Sequence, residues 1–273
     1  MIIDTHAQLY TRGFIDQVQA GRIPGLENLG YAGFMAKSPP SDTLTDMDEA
    51  GVDLSVVVGV DAETNAGFRV PNELVAKEVD ASEGRLIGFM GLDPRKGNAA
   101  IDELRRSHDE LGLRGIKFIC HLNELEPSHR LFYPIYEEAS ARGLPVLHHT
   151  GTHYHAGRKI KYCQPLFIDE IAVDFPKLKL VAAHFGWPWT DEAIAVALRN
   201  RNVYLNVAGW APRHWPEVLL RYLRGPLQRK VLFGSDHPLL PRKRLVNEID
   251  KLELSDEIKT RLFEHNPKEL LGL

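Results

Sequence analysis

Short apolar runs rich in β-branched residues recur along the chain, and between them the apolar positions take helical spacing. Runs that are apolar on both faces read as parallel strands buried against helices. Eight can be placed, at 2–5, 54–60, 86–91, 115–119, 145–149, 179–183, 203–207 and 230–234. Helical patterns fall between and after them at 43–50, 72–82, 99–111, 133–142, 166–174, 191–199, 216–223 and 244–251. Eight strand-then-helix units with no Pro-, Ser- or Gly-rich linker predict one domain, a (β/α)8 TIM barrel. An open doubly wound sheet allows the same alternation. That fold carries a glycine-rich turn after its first strand, whereas here the first run leads into His6. Two connections are long, 7–42 and 150–165, and are expected over the C-terminal mouth of the barrel. The tail, 256–273, reads as two short closing helices broken near Asn266-Pro267.

Composition narrows the functional classes. Of 273 residues, 44% are hydrophobic and 26% charged, which excludes a disordered, collagenous or coiled-coil chain. The 33 Lys and Arg against 37 Asp and Glu give a net charge of −4, the wrong sign for a protein that neutralises phosphates, so nucleic acid is not an expected partner. No run reaches the ~20 apolar residues of a membrane span, and the opening MIIDTHAQ has none of the features of a signal peptide. Cys120 and Cys163 cannot build a disulfide framework and match no thiolate metal motif, so a reducing, cytoplasmic location is expected. Twelve histidines against two cysteines mean that any metal is held by nitrogen and oxygen.

In a barrel enzyme the chemistry stands at the C-terminal ends of the strands. Here the first strand runs into His6 and Gln8, the fifth into His148 and His149, the sixth into His184, and the eighth into Ser235, Asp236 and His237. Residues two apart on a strand share a face, so His6 and Gln8 point together. With His149 and Asp236 they would surround one axial point with two imidazoles, a carboxylate and an amide oxygen, a plausible shell for a divalent transition metal. Each has an ordinary reading too. Asp236 could cap a helix, although Pro238 and Pro241 follow it. His108, His129, His214 and His265 fall in helices or outer turns and read as surface residues.

The segments Asp4-Thr5-His6, Pro145 to Gly151 (PVLHHTG), His184-Phe185-Gly186 and Gly234-Ser235-Asp236-His237-Pro238, with the closing 266–273 (NPKELLGL), resemble the amidohydrolase superfamily. The resemblance is to the branch holding aminocarboxymuconate-semialdehyde decarboxylase, resorcylate-type decarboxylases and related lactone hydrolases. It implies that His6, His149 and Asp236 are metal ligands, that His184 is a general acid/base, and that His148 is a supporting residue. Gln8 departs from the pattern, which usually has histidine there. Three readings follow: a metal with one weak ligand, a metal held without Gln8, or a site that has lost its metal. Lys117, on the fourth strand, would bind a substrate anion or pair internally.

The loop after the fifth strand, with His153, Arg158 and Lys161, reads either as a solvated basic loop or as a lid that pairs a substrate carboxylate. Trp187 could stack on a planar ring or pack between helices. The leading expectation is hydrolysis of a small carboxylated lactone, ester or amide, with one divalent metal, zinc before manganese, polarising the carbonyl and His184 and Asp236 moving protons. The alternatives are non-oxidative decarboxylation of a hydroxybenzoate or muconate-like acid, and a metal-free hydrolase or non-catalytic binding protein motivated by Gln8. A small acidic molecule is the expected partner, and a homodimer is compatible with exposed barrel faces.

Overall fold

The computed structural model describes residues 1–23, 41–155 and 157–273. Its strands are β1 (Ile3–Gln8), β2 (Leu54–Val58), β3 (Val60–Ala62), β4 (Phe68–Val70), β5 (Leu86–Gly91), β6 (Ile116–Phe118), β7 (Val146–His148), β8 (Leu180–Ala182), β9 (Val203–Asn206) and β10 (Val231–Leu232). Eight of them pair side by side in the order β1-β2-β5-β6-β7-β8-β9-β10, all parallel. The two ends of this sheet meet. Thr5 N donates to Phe233 O at 2.9 Å, Asp236 N to His6 O at 2.8 Å and Gln8 N to His237 O at 2.8 Å, so the sheet closes into the expected barrel.

Apolar residues on both faces are what permit this. One set fills the barrel interior, Ile3, Val56, Val58, Ile87, Phe89, Leu147, Val181, Tyr204 and Leu232, with Leu270 and Leu271 of the last helix packed against it. The opposite faces join a larger core beneath the helices. The predicted helices form within two residues of their expected limits, for example Thr43–Ala50, Tyr133–Arg142 and Leu166–Asp174.

Three features differ from expectation. The apolar run 54–60 is interrupted at Gly59, and Val60–Ala62 leaves the barrel to pair antiparallel with Phe68–Val70. The tail is not broken at Asn266-Pro267: Asp256–Thr260, a π-turn at Arg261–His265 and Asn266–Leu271 follow without interruption, and Leu262 O, five residues before Pro267, accepts from Phe233 N at 3.1 Å in place of the N–H that proline lacks. The connection 7–42 contains a helix, Arg12–Gln19, and the rest of that expectation, 24–40, lies outside the described residues.

His148 faces outward from β7 into the helical layer, with Nδ1 3.6 Å from Cys120 Sγ, Nε2 3.2 Å from the Tyr136 hydroxyl, and its ring stacked on Phe118. Burial pushes its pKa down to about 3, and burial with the Arg242 charge does the same to His237. Unfolded, both imidazoles protonate near pH 6.5. The unfolded chain therefore binds more protons between about pH 6.5 and 3, and stability falls as pH falls through that window. We expect a slope of roughly 1.4 kcal/mol per pH unit for each histidine, measured as urea-unfolding free energy from pH 7 to 4. A His148→Gln variant should have a shallower slope; an unchanged one refutes the assignment.

Candidate active site

The barrel seam creates the site. Because residues 233–237 bond to β1 along its length, Asp236 is delivered beside His6 and Gln8 although 228 positions separate it from Gln8. Gln8 Nε2 donates to Asp236 Oδ1 at 2.7 Å, and His6 Nε2 lies 3.8 Å from the same oxygen. Lys117, from the middle of β6, reaches across the interior and donates from Nζ to His6 Nε2 at 3.2 Å. It is 2% exposed, and burial lowers its pKa to about 8, with Asp236 opposing the shift.

His149 and His184 form the other half. His184 Nδ1 donates to Ala208 O at 2.8 Å and His149 Nε2 donates to Thr152 O at 3.1 Å. A backbone carbonyl only accepts, so each ring's proton is committed there in the neutral state. The remaining nitrogens, His184 Nε2 and His149 Nδ1, face each other at 3.1 Å with two lone pairs and no proton between them. Such a gap is closed when one ring takes up a proton or a metal ion. Burial lowers both pKa values, aided at His149 by the neighbouring His184 and opposed at His184 by Asp236. His184 and Asp236 also hold left-handed backbone, φ 59° and 57°, a conformation that costs non-glycine residues energy and that the surrounding fold imposes.

These groups lie at the floor of a cleft of about 1130 Å3 counted to its open mouth. Gln8, Lys117, His149, His184 and Asp236 supply polar groups, and the walls are apolar, among them Tyr10, Phe14, Val60, Phe68, Val70 and Trp210. The β3–β4 hairpin, of which only Val60 falls in an apolar run of the sequence, thus supplies one wall. Of the residues expected to touch substrate, Lys117 and His153 line the cleft, but Arg158, Lys161 and Trp187 do not. Arg158 is bound to Glu124 at 3.1 Å, Lys161 lies over the Tyr162 ring, and Trp187 is 41% exposed and packs on Trp210, which takes the wall position. His121, on the turn Cys120–Asn123 after β6, was not anticipated. It stacks on His153 with ring centroids 3.7 Å apart.

Gly209 makes the close approach possible. Its φ is 78°, and a Cβ there would lie 2.9 Å from His184 Nδ1 and 3.3 Å from Asp236 Oδ2. Gly209→Ala should therefore displace both side chains and lower turnover about 100-fold, the scale of an ångström misplacement, while circular dichroism stays native. Turnover within threefold of wild type would show that the neighbours yield freely.

Residues 3–273 match the family model Amidohydro_2, described as Amidohydrolase. The chain belongs to this amidohydrolase family. It is 26% identical to a 2-amino-3-carboxymuconate-6-semialdehyde decarboxylase of Dictyostelium discoideum over 236 residues, 74% of this chain but only 65% of that relative's length. Among solved structures it is similar to an uncharacterised TIM-barrel protein of Bordetella bronchiseptica, with a TM-score of 0.77, 24% identity, and 99% and 98% of the two chains covered. It is also similar to 5-carboxyvanillate decarboxylase of Novosphingobium aromaticivorans complexed with manganese and a nitrobenzoic acid, with a TM-score of 0.74, 18% identity, and 100% and 96% covered. These two likenesses establish the TIM-barrel fold.

The manganese of that neighbour raises the question of whether these residues suit a metal, and donor chemistry answers it. His149 Nδ1 keeps a lone pair because its Nε2 proton is bonded to Thr152 O, and His6 Nε2 and Asp236 Oδ1 lie 3.8 Å apart, so two imidazoles and a carboxylate offer donors for one ion and leave His184 free for acid/base work. The set fits a divalent ion. Gln8 is the exception, since it turns its amide N–H toward Asp236 and so orients the carboxylate instead of offering an oxygen lone pair.

Proposed function

We propose that the protein is a non-oxidative carboxy-lyase acting on a small planar carboxylic acid of hydroxybenzoate or muconate-like type. One observation carries this reading: a buried Lys117 ammonium at the floor of an apolar-walled cleft, with no carboxylate in an ion pair with it among the described residues. A buried cation with no direct ion pair, on which Asp236 acts only at longer range, can take an anion, and the walls select a flat apolar body behind that anion. The decarboxylase names of two relatives favour the same chemistry, and for this reason it takes precedence over hydrolysis.

With its carboxylate or ring oxygen engaged by Lys117, the substrate would lie against Phe14, Phe68 and Trp210. His184, its tautomer set by Ala208 O, directs Nε2 into the cleft and passes a proton to the carbon that bears the carboxylate. The bond to the carboxyl carbon then breaks, its electrons return to the ring or diene, and CO2 leaves; one proton is consumed and no water. Asp236, held by Gln8, stabilises the charged imidazolium before transfer. A divalent ion held by His6, His149 and Asp236 would supply a Lewis-acid grip on substrate oxygen.

The test is CO2 release measured across a panel of hydroxybenzoates, carboxyvanillate-like and muconate-like acids, run beside lactones and aryl esters with manganese or zinc added. Decarboxylation of at least one acid is expected. Lactone or ester hydrolysis with no CO2 from any acid would overturn the proposal in favour of the hydrolase.

A further inference from the structure

A second group of side chains able to ligate a metal stands at the rim of the cleft, beside the His6, His149 and Asp236 set, with the His121 ring 4.7 Å from that of His149. His121 comes from the turn after β6, and His153 and His155 come from the segment after β7. β6 and β7 are neighbours in the barrel, so these two segments emerge side by side. Nitrogens of the three imidazoles all lie within 4.8 Å of one another. His121 Nε2 is 2.6 Å from His155 Nδ1, and the His121 and His153 rings stack face to face at an interplanar angle of 10°. Behind His121, Cys163 Sγ lies 3.3 Å from Nδ1. With the Nδ1 proton directed to that sulfur, Nε2 keeps its lone pair facing the other two histidines. Metal-binding histidines are commonly held by a partner on the far nitrogen in this way.

We propose that His121, His153 and His155 form a binding site for a divalent transition metal, zinc by preference, with Cys163 as the positioning residue that fixes the His121 tautomer. Three imidazoles are a full protein ligand set for zinc with one position open. His153 and His155 line the cleft, so the open position faces the space where the ligand of the cleft sits, and a carboxylate is the group that would complete the shell. Bound metal also ties the segment after β7 to the turn after β6, which fixes one side of the cleft mouth. This inference does not depend on the decarboxylase reading, since it needs only the three side chains and an accessible fourth position.

Zinc binding itself is the test. The full-length protein is stripped with chelator, dialysed, reloaded with zinc alone, and its metal counted by elemental analysis and its affinity measured by calorimetry. We expect His153→Ala to bind one equivalent fewer than wild type, His155→Ala to do the same, and His6→Ala to retain that equivalent. Because His121 is buried and its removal could unfold the turn, the half-buried His153 is the primary variant, with circular dichroism as the folding control. Cys163→Ser should weaken zinc at this site about tenfold, the lower end for loss of a supporting partner, without removing it. Zinc content and affinity that are the same in wild type, His153→Ala and His155→Ala would overturn the proposal, as would wild-type protein that takes up no zinc.

Discussion

Arg242→Met should cost about 3–5 kcal/mol of stability, the largest loss expected from any single substitution in this protein. The Arg242 guanidinium is fully buried. It donates to Asp4 Oδ2 at 2.7 Å, Asp46 Oδ1 at 2.8 Å and Ser55 Oγ at 3.0 Å. Asp4 in turn accepts from the Ser235 amide at 2.9 Å and the Ser235 hydroxyl at 2.6 Å. One cation thus joins β1, β2, the Thr43–Ala50 helix and the segment that closes the barrel. Methionine fills much of the volume but leaves two carboxylates buried without a counter-charge, and that residual charge is the source of the cost. Burial already pushes the Asp46 pKa up against the pull of Arg242, so little margin exists. Since Ser235 precedes Asp236, the loosened seam should also lower turnover. Urea unfolding at pH 7 checks the first effect. A triple variant adding Asp4→Asn and Asp46→Asn should recover part of the loss, because it removes the orphaned charges; a loss below about 1 kcal/mol for Arg242→Met would show that water reaches the network.

This network was not legible in the sequence, where Arg242 sits in Pro-Arg-Lys-Arg just before the helix expected at 244–251 and nothing marks it as buried. The barrel was legible for a plain reason. Parallel strands covered on both sides are apolar at most positions, and that leaves runs which can be counted without knowing their neighbours. The strand-end residues were legible through the same geometry, since a parallel barrel brings all its C-terminal ends to one mouth. What escaped depends on which elements become neighbours. Val60 closes the apolar run 54–60 although it already belongs to the next strand, and only the close approach of Gly59 to Gly91, where a Cβ would meet Gly91 N at 3.0 Å, marks where the chain leaves the barrel. His121 lies in Cys-His-Leu-Asn with no spacing to another ligand, and it meets His153 and His155 only because β6 adjoins β7. Arg158, Lys161 and Trp187 were singled out by charge and ring, whereas Glu124, Tyr162 and Trp210 had already claimed them.

His184→Asn should reduce turnover by roughly 100- to 10,000-fold, the range for loss of a general acid, with little change in KM. Asparagine tolerates left-handed backbone better than most residues, so the φ of 59° at position 184 should survive and the variant should fold. What it loses is a ring nitrogen that can carry a proton into the cleft. Lys117 and the apolar walls remain, so substrate should still bind. A structural role for His184 would give the opposite division, with lowered stability and a raised KM. A second measurement separates proton transfer from any effect on metal retention. An enzyme that protonates carbon must, by reversibility, exchange that hydrogen of the product with solvent, so product incubated in deuterated water should exchange with wild type and not with His184→Asn, each assayed at matched metal content. Exchange that persists in the variant would move the proton to Lys117, the other buried group at the floor of the cleft, whose pKa of about 8 leaves it protonated at neutral pH.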